Sequence, residues 1–367
     1  MNKIARFLFG LLFLFVSCKH SKDLSSPHNY SKPPLLEEFV YDSLSQYNII
    51  TIGEAVHFNK TMYDLQLRII DSLKVSNVFI ENSYFTIKEI LSDTSDTKYH
   101  FKDYSSLVRA IHNKGVNVIG MNPGYLKGNV LKFASILKSA DTVLYENLNE
   151  IFRLDSFNEA YYWYRMSDSE LTQLKLRLDT LGKRISSRIP DFIFDEGCYF
   201  IKKDLEYVYL KRTIGDKERD SIMFRIIMDH NNSNKKSVVL AHNFHLTLNN
   251  NYKSNLGHFL KSKFGNRMFS IGTDFYSGSY LTNNNYHSKE YEFSQVEFNG
   301  LKHSIWRKND WTNLKQPFYY YSKDLPNSNY KTKWAGGMDY KKLILSINYR
   351  TDFDLIIFIP TVEAGKL

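Results

Sequence analysis

Two short stretches place ionisable groups three residues apart. In Gly53-Glu54-Ala55-Val56-His57 a carboxylate precedes an imidazole, and in Ala241-His242-Asn243-Phe244-His245 two imidazoles share one segment. An imidazole near its pKa can take a proton from water, and a neighbouring carboxylate can fix its tautomer and stabilise the imidazolium that forms. The same donor types, two histidines with two carboxylates, also suit a divalent metal acting as a Lewis acid. The chain has no His-Glu-x-x-His helix motif, so zinc-peptidase chemistry of that kind is not indicated.

The elements that must position these residues are short apolar runs at Asn48–Gly53, Asn77–Glu81, Val116–Gly120, Ser237–Ala241, Met268–Gly272 and Leu355–Ile359. Near-continuous apolar runs read as strands buried on both faces, as a mainly parallel sheet covered by helices requires. Met62–Leu73, Tyr104–Asn113 and Leu256–Phe264 carry apolar residues at helical spacing. The fold class is therefore α/β, with a mainly parallel central sheet flanked by helices.

In such sheets the ligand crevice lies beyond the carboxyl ends of the strands. That rule selects Glu54, His57, Glu81, His242, His245 and Asp274. An apolar strand that finishes on Glu81 needs a partner for the carboxylate, because burying it unpaired is costly, and His57 and His242 are candidates. His245 and Asp274 are read as supporting residues, serving either the site or the loop backbone.

Strand signals are absent from about residue 141 to 232. Ser167-Asp168-Ser169-Glu170 forms a capping box before a leucine-rich amphipathic pattern, so this stretch is expected to be a helical insert or lid. Cys198 sits inside it among aromatic residues and reads as a small buried hydrophobe. Farther on, alternation over Tyr291–Phe298 predicts antiparallel edge strands.

Several reaction classes leave no trace. There is no Gly-x-Ser-x-Gly elbow, no Walker loop and no Gly-x-Gly-x-x-Gly after a strand, which argues against serine-triad, nucleoside-triphosphate and dinucleotide chemistry. The formal charge of +9 is spread along the chain and not gathered into a basic stripe, so no nucleic-acid partner is expected.

Lys3 and Arg6 precede the apolar run Phe7–Val16, which has the length and flanks of a secretory signal. The run closes with Phe15-Val16-Ser17-Cys18, which resembles a bacterial lipobox with Phe in place of the commoner Leu. The expected organisation is a signal peptide over residues 1–17, a flexible tether over 18–35 beginning at lipidated Cys18, and a catalytic domain over 36–367. Such a protein would be lipid-anchored to a membrane of the bacterial cell envelope. Cys198 would then be the remaining cysteine of two, leaving no disulfide.

Taken in order, Gly53–His57, Glu81, Arg219-Asp220-Ser221-Ile222-Met223, Ala241–His245, Gly257-His258-Phe259-Leu260 and the closing Phe353–Thr361 resemble the erythromycin esterase-like family. The resemblance implies an α/β core with a helical subdomain and hydrolysis of an ester or macrolide lactone without a serine nucleophile or an obligatory metal. It implies His57 as general base, Glu54 and Glu81 as its acidic partners, and His242 as second histidine. Two positions depart from the family pattern: Gln66 stands where an arginine is expected, and Phe58 where glycine is usual. A neutral amide cannot replace a guanidinium that clamps an anion, so these departures bear on the substrate more than on the fold.

Two other functions share these residues. A metal-dependent hydrolase would use His57, Glu81 and His242, with Glu54, around a divalent ion, whereas the first reading expects no cofactor. A non-catalytic lipoprotein would bind a hydrophobic ligand such as haem or a glycan in the same cleft, drawing on the 26 Tyr and 26 Phe of the chain.

Overall fold

The computed structural model describes residues 33–92, 102–124, 126–152, 167–183, 191–213, 218–231, 235–249, 255–283, 293–301, 303–332 and 345–366. The signal sequence, Cys18 and most of the tether lie outside the described residues. The folded unit begins at Pro34. Tyr319 N–H donates to the Pro34 carbonyl at 3.1 Å and Leu36 N–H to Pro317 O at 2.9 Å, so the last residues assigned to the tether already pair with the sheet edge.

The strands are β1 (Ile49–Glu54), β2 (Asn77–Ile80), β3 (Asn117–Gly120), β4 (Ser237–His242), β5 (Met268–Asn283), β6 (Phe293–Asn299), β7 (Phe318–Tyr321), β8 (Tyr330–Thr332), β9 (Leu345–Ile347) and β10 (Leu355–Val362). The main sheet runs β3-β2-β4-β1-β5-β10-β7, with β6 on β5. Its first six strands are parallel, while β7 and β6 add antiparallel edges. Each of the six apolar runs in the sequence lies in that parallel core. β1, β2 and β4 are buried along their whole length, which is why they read as continuous apolar runs.

The helices are α1 (Lys60–Asp71), α2 (Tyr84–Ser92), α3 (Lys102–His112), α4 (Leu126–Ala140), α5 (Thr142–Phe152), α6 (Asp168–Lys183), α7 (Asp191–Thr213), α8 (Arg219–His230), α9 (Asn243–Leu246), α10 (Leu256–Phe264), α11 (Ile305–Lys308) and α12 (Tyr349–Asp352). From Thr142 to His230 the described elements are all helical. The capping box opens α6: Ser167 N–H donates to Glu170 Oε2 at 2.6 Å and Glu170 N–H to Ser167 Oγ at 3.3 Å. Cys198 is buried in α7, which pushes its thiol up to about 12 and leaves it an inert apolar filler. Among the described residues no helix is long and apolar enough to cross a membrane.

Strand order dictates where a cleft can form. The chain moves outward from β1 to β2 and β3, returns to insert β4 between β2 and β1, and then continues on the other side of β1 with β5. The reversal falls at the β4–β1 pair, whose carboxyl ends therefore border the crevice.

The end of β1 is anchored sideways. Asn243 Nδ2 donates to Thr273 O at 2.6 Å, Thr273 N–H returns to Asn243 Oδ1 at 3.2 Å, and Thr273 Oγ1 donates to Gly53 O at 2.9 Å. Gly53 has no side chain because a Cβ there would stand 2.1 Å from the pinned Asn243 Oδ1. Gly53→Ala is therefore expected to cost about 1–3 kcal/mol through overpacking, read as a lowered urea midpoint at unchanged slope.

Candidate functional site

Parallel register brings the two sequence motifs side by side. Gly53 pairs with Ala241 and Glu54 with His242, while Ile80 pairs with Leu240, so Glu81 emerges one strand over at the same level. Beyond β1 the chain turns, and Ala55 N–H donates to Thr273 Oγ1 at 2.9 Å. His57 then folds back so that its Nδ1 engages Glu54 Oε1. The rings of His57 and His242 face each other with centroids 4.9 Å apart and planes at 48°.

Electrostatics separates these two imidazoles. Burial disfavours the charged form of His57, but the Glu54 carboxylate and its hydrogen bond, with Glu81 behind, outweigh that and raise its pKa above 6.5. His242 is driven the other way: burial and the adjacent His57 hold it well below 6.5, so it is a neutral imidazole. Its Nδ1 accepts from Phe244 N–H at 3.3 Å, which leaves the proton on Nε2.

Glu81 is the hub of the site. Its Oε2 accepts the backbone N–H of His242 at 2.8 Å, and its Oε1 lies 3.2 Å from His245 Nε2 and 3.5 Å from Arg219 Nη2. Burial would raise its pKa, yet His245, His57 and Arg219 together bring it well below 4.5. His245 is sandwiched: its Nδ1 bonds Asp220 Oδ1 at 2.7 Å, and Asp220 Oδ2 in turn accepts Leu256 N–H at 2.9 Å. Arg219 also contacts His245 Nε2. Burial and the Arg219 charge both oppose an imidazolium at His245, but Glu81 and Asp220 outweigh them and push its pKa up to about 9.

Arg219 and Asp220 are the site residues to which the sequence reading assigned no role. They open α8, at the far end of the helical insert, and were visible only as part of an ordered set of family motifs. The signal that could have found them is Asp220 itself: a carboxylate in the first turn of an otherwise apolar helix face that ends up buried.

Two sequence candidates do not join the cluster. Asp274 was expected just past a strand that ended at Gly272, but β5 continues to Asn283 and Asp274 pairs with Phe358 inside the sheet. It accepts from Thr332 Oγ1 at 2.9 Å, Tyr349 Oη at 2.8 Å and Trp306 Nε1 at 3.1 Å, so it anchors the layer formed by α11, β8 and α12. Gln66 is buried in α1. Phe58 is half-buried with its ring 5.9 Å from that of His57, and its φ of 53° lies where glycine is favoured. Among the described residues no group of three His, Cys, Asp or Glu side chains is arranged to hold a metal ion. The oxygens of Glu81 face the His242 backbone N–H, His245 and Arg219.

The chain is thus an α/β protein with a buried histidine–carboxylate cluster at the switch point of its parallel sheet, a set of groups suited to acid–base chemistry. The sequence profile of the erythromycin esterase family matches residues 100–362, and the chain belongs to that family. The matched region includes Arg219, Asp220, His242 and His245 and begins after Glu54, His57 and Glu81. Membership points to an ester-hydrolysing enzyme. A search of curated protein sequences finds no significant match.

Solved structures share the fold. A Bacillus cereus protein superposes with a TM-score of 0.66 at 17% identity, covering 89% of this chain and 91% of that one. A protein described as a succinoglycan biosynthesis protein gives 0.67 at 13%, covering 89% and 90%. A histidine-to-asparagine variant of the erythromycin esterase EreC in its open conformation gives 0.62 at 16%, covering 89% and 94%.

The charge state of His245 makes a stability prediction. A histidine whose folded pKa is raised from 6.5 to about 9 adds stability that is complete below 6.5 and lost as pH rises through 9. His245→Gln, which removes one member of a buried charged set, is expected to cost about 3 kcal/mol or more at pH 6. The gap between wild type and variant should narrow between pH 6.5 and 9, measured by denaturant unfolding at each pH.

Proposed function

We propose that this protein hydrolyses a carboxylic ester or lactone with water activated by His57. The observation that carries this reading is the pairing of His57 Nδ1 with Glu54, which leaves Nε2 as the proton acceptor, beside a neutral His242 only 4.9 Å away between ring centroids. Water held at His57 Nε2 loses its proton to the imidazole as its oxygen bonds to the ester carbonyl carbon. Glu54 stabilises the imidazolium. The Nε2–H of His242 can donate to the carbonyl oxygen as it becomes an oxyanion. When the tetrahedral species collapses, the carbon–oxygen ester bond breaks and the imidazolium returns its proton to the departing alcohol. Glu81, ionised and held by His245 and Arg219, fixes the backbone that presents His242.

The general base must be neutral to act, so kcat/KM should rise with pH through the His57 pKa, with a midpoint above 6.5. His57→Ala should lower kcat/KM by about 10²–10⁴-fold with the fold retained. A panel of macrolides and simple esters, followed by mass for the gain of one water with and without chelator, tests both the base and the metal-free reaction. Hydrolysis that persists in His57→Ala, or that vanishes with chelator, would overturn this mechanism.

We also propose that Cys18 is lipidated and anchors the enzyme to a cell-envelope membrane; this rests on the Phe15-Val16-Ser17-Cys18 pattern behind an apolar run. Cys18→Ser should move the protein from the membrane pellet to the soluble fraction, and an intact mass lacking diacylglycerol in the unmodified chain would refute the assignment.

A further inference from the structure

Phe58 follows the base directly in sequence, and its φ of 53° is a conformation that a residue with a Cβ keeps only where its surroundings over-determine it. Those surroundings are specific. Phe58 N–H donates to Oη of Tyr63, buried on α1, at 3.1 Å, and Phe58 O accepts from Gly365 N–H at 2.9 Å. Both backbone polar groups of this one residue are thus held from different parts of the chain.

Gly365 belongs to a segment that leaves β10 and runs alongside the start of α1. Lys60 N–H donates to Glu363 O at 3.0 Å, Glu363 N–H to Thr61 Oγ1 at 2.9 Å, and Asn59 and Ala364 form an isolated bridge. Beyond Gly365 the segment is tied to α3, with Lys366 N–H on Asp103 Oδ2 at 2.7 Å and Lys102 N–H on Lys366 O at 3.1 Å. Below it, Ala364 N–H meets Ser279 Oγ at 3.2 Å, and Asn59 Nδ2 donates to Ser279 O at 3.1 Å. A Cβ at position 365 would lie 3.1 Å from Phe58 O, so a side chain there would require that carbonyl to give by a few tenths of an ångström.

We infer that Glu363–Lys366 is a positioning clamp, in which Gly365 holds Phe58 in its left-handed conformation and so keeps the turn after β1 on the path that lays His57 against Glu54. Its kinetic consequence rests on the reading of His57 as the base; its structural consequence does not. The clamp acts on the backbone; the charged or titratable groups that face His57 are Glu54, Glu81, His242 and His245, and Tyr63 of α1, which holds Phe58 N–H, faces Glu54.

The test compares the full chain with Gly365→Pro, which deletes the N–H donor, and with two double variants that add Phe58→Gly or Phe58→Ala. The readouts are the imidazole ¹⁵N titration of His57 and steady-state hydrolysis of phenyl acetate. In Gly365→Pro the His57 midpoint is expected to fall back toward 6.5, and kcat to drop by roughly 10-fold with KM within about two-fold. Adding Phe58→Gly, which holds positive φ without a clamp, restores most of both losses, whereas Phe58→Ala does not. If Gly365→Pro does not fold, Gly365→Ala, whose Cβ presses on Phe58 O, is measured in its place. An unchanged His57 titration, or a loss that Phe58→Gly fails to relieve in a protein with wild-type melting behaviour, overturns the clamp. If phenyl acetate is not turned over by the wild type, the esterase reading is what is in question, and the titration arm alone decides the clamp.

Discussion

A carboxylate at the end of an apolar strand has to be compensated, and the satisfaction of Glu81 organises this protein. A buried carboxylate without partners costs several kcal/mol, so the fold must bring donors to it or keep it protonated. Donors come from a neighbouring strand and from outside the sheet: the His242 backbone N–H at the end of β4, the imidazole of His245 on α9, and the guanidinium of Arg219 on α8. Because Arg219 and Asp220 open the last helix of the insert, this one requirement ties that helix to the carboxyl edge of the sheet. Asp220 completes the arrangement by holding His245 from its other nitrogen and capping the Leu256 N–H of α10.

The consequence is a graded set of proton affinities through the site. Glu81 is held ionised between His245, whose pKa is pushed up to about 9, and His57, whose pKa is raised above 6.5, and His242 is the neutral member beside them. Two imidazoles within 4.9 Å cannot both be protonated in a buried setting, and their surroundings decide which yields. His57 has a carboxylate on its Nδ1, while Nδ1 of His242 accepts a backbone N–H. Environments that push like groups apart in this way give the two imidazoles different proton affinities, which is what the proposed division between proton acceptor and hydrogen-bond donor requires.

Two adjacent residues of β5 show how the sheet separates function from support. Thr273 faces the site side, bonding Gly53 O, Ala55 N–H and Asn243, whereas Asp274 is engaged by Trp306, Thr332 and Tyr349 in another layer. Successive side chains of a strand point to opposite faces, so Asp274, one residue beyond Thr273, is turned away from the site. Burial lifts Asp274 to about 6 although three donors surround it, and its place is in the packing of the edge layer.

Much of this was legible in the amino-acid order. The parallel core follows from six apolar runs, because a strand covered on both faces leaves no room for polar alternation. The rule that clefts open at carboxyl ends then selects Glu54, His57, Glu81, His242 and His245, all of which meet in space. Local pattern carries such information because it is imposed residue by residue. What it does not carry is pairing across distance. The length of β5, which removes Asp274 from the site, depends on the partners that β10 and β6 supply to it. Arg219 and Asp220 reach Glu81 and His245 only through the path of the insert. The left-handed Phe58 has its N–H on Tyr63 Oη and its carbonyl on Gly365 N–H, the latter a partner from the far end of the described chain. Sequence alone determined which groups could do chemistry and on which edge they stand; tertiary structure decided which carry charge and which are held in place, since both depend on neighbours remote along the chain.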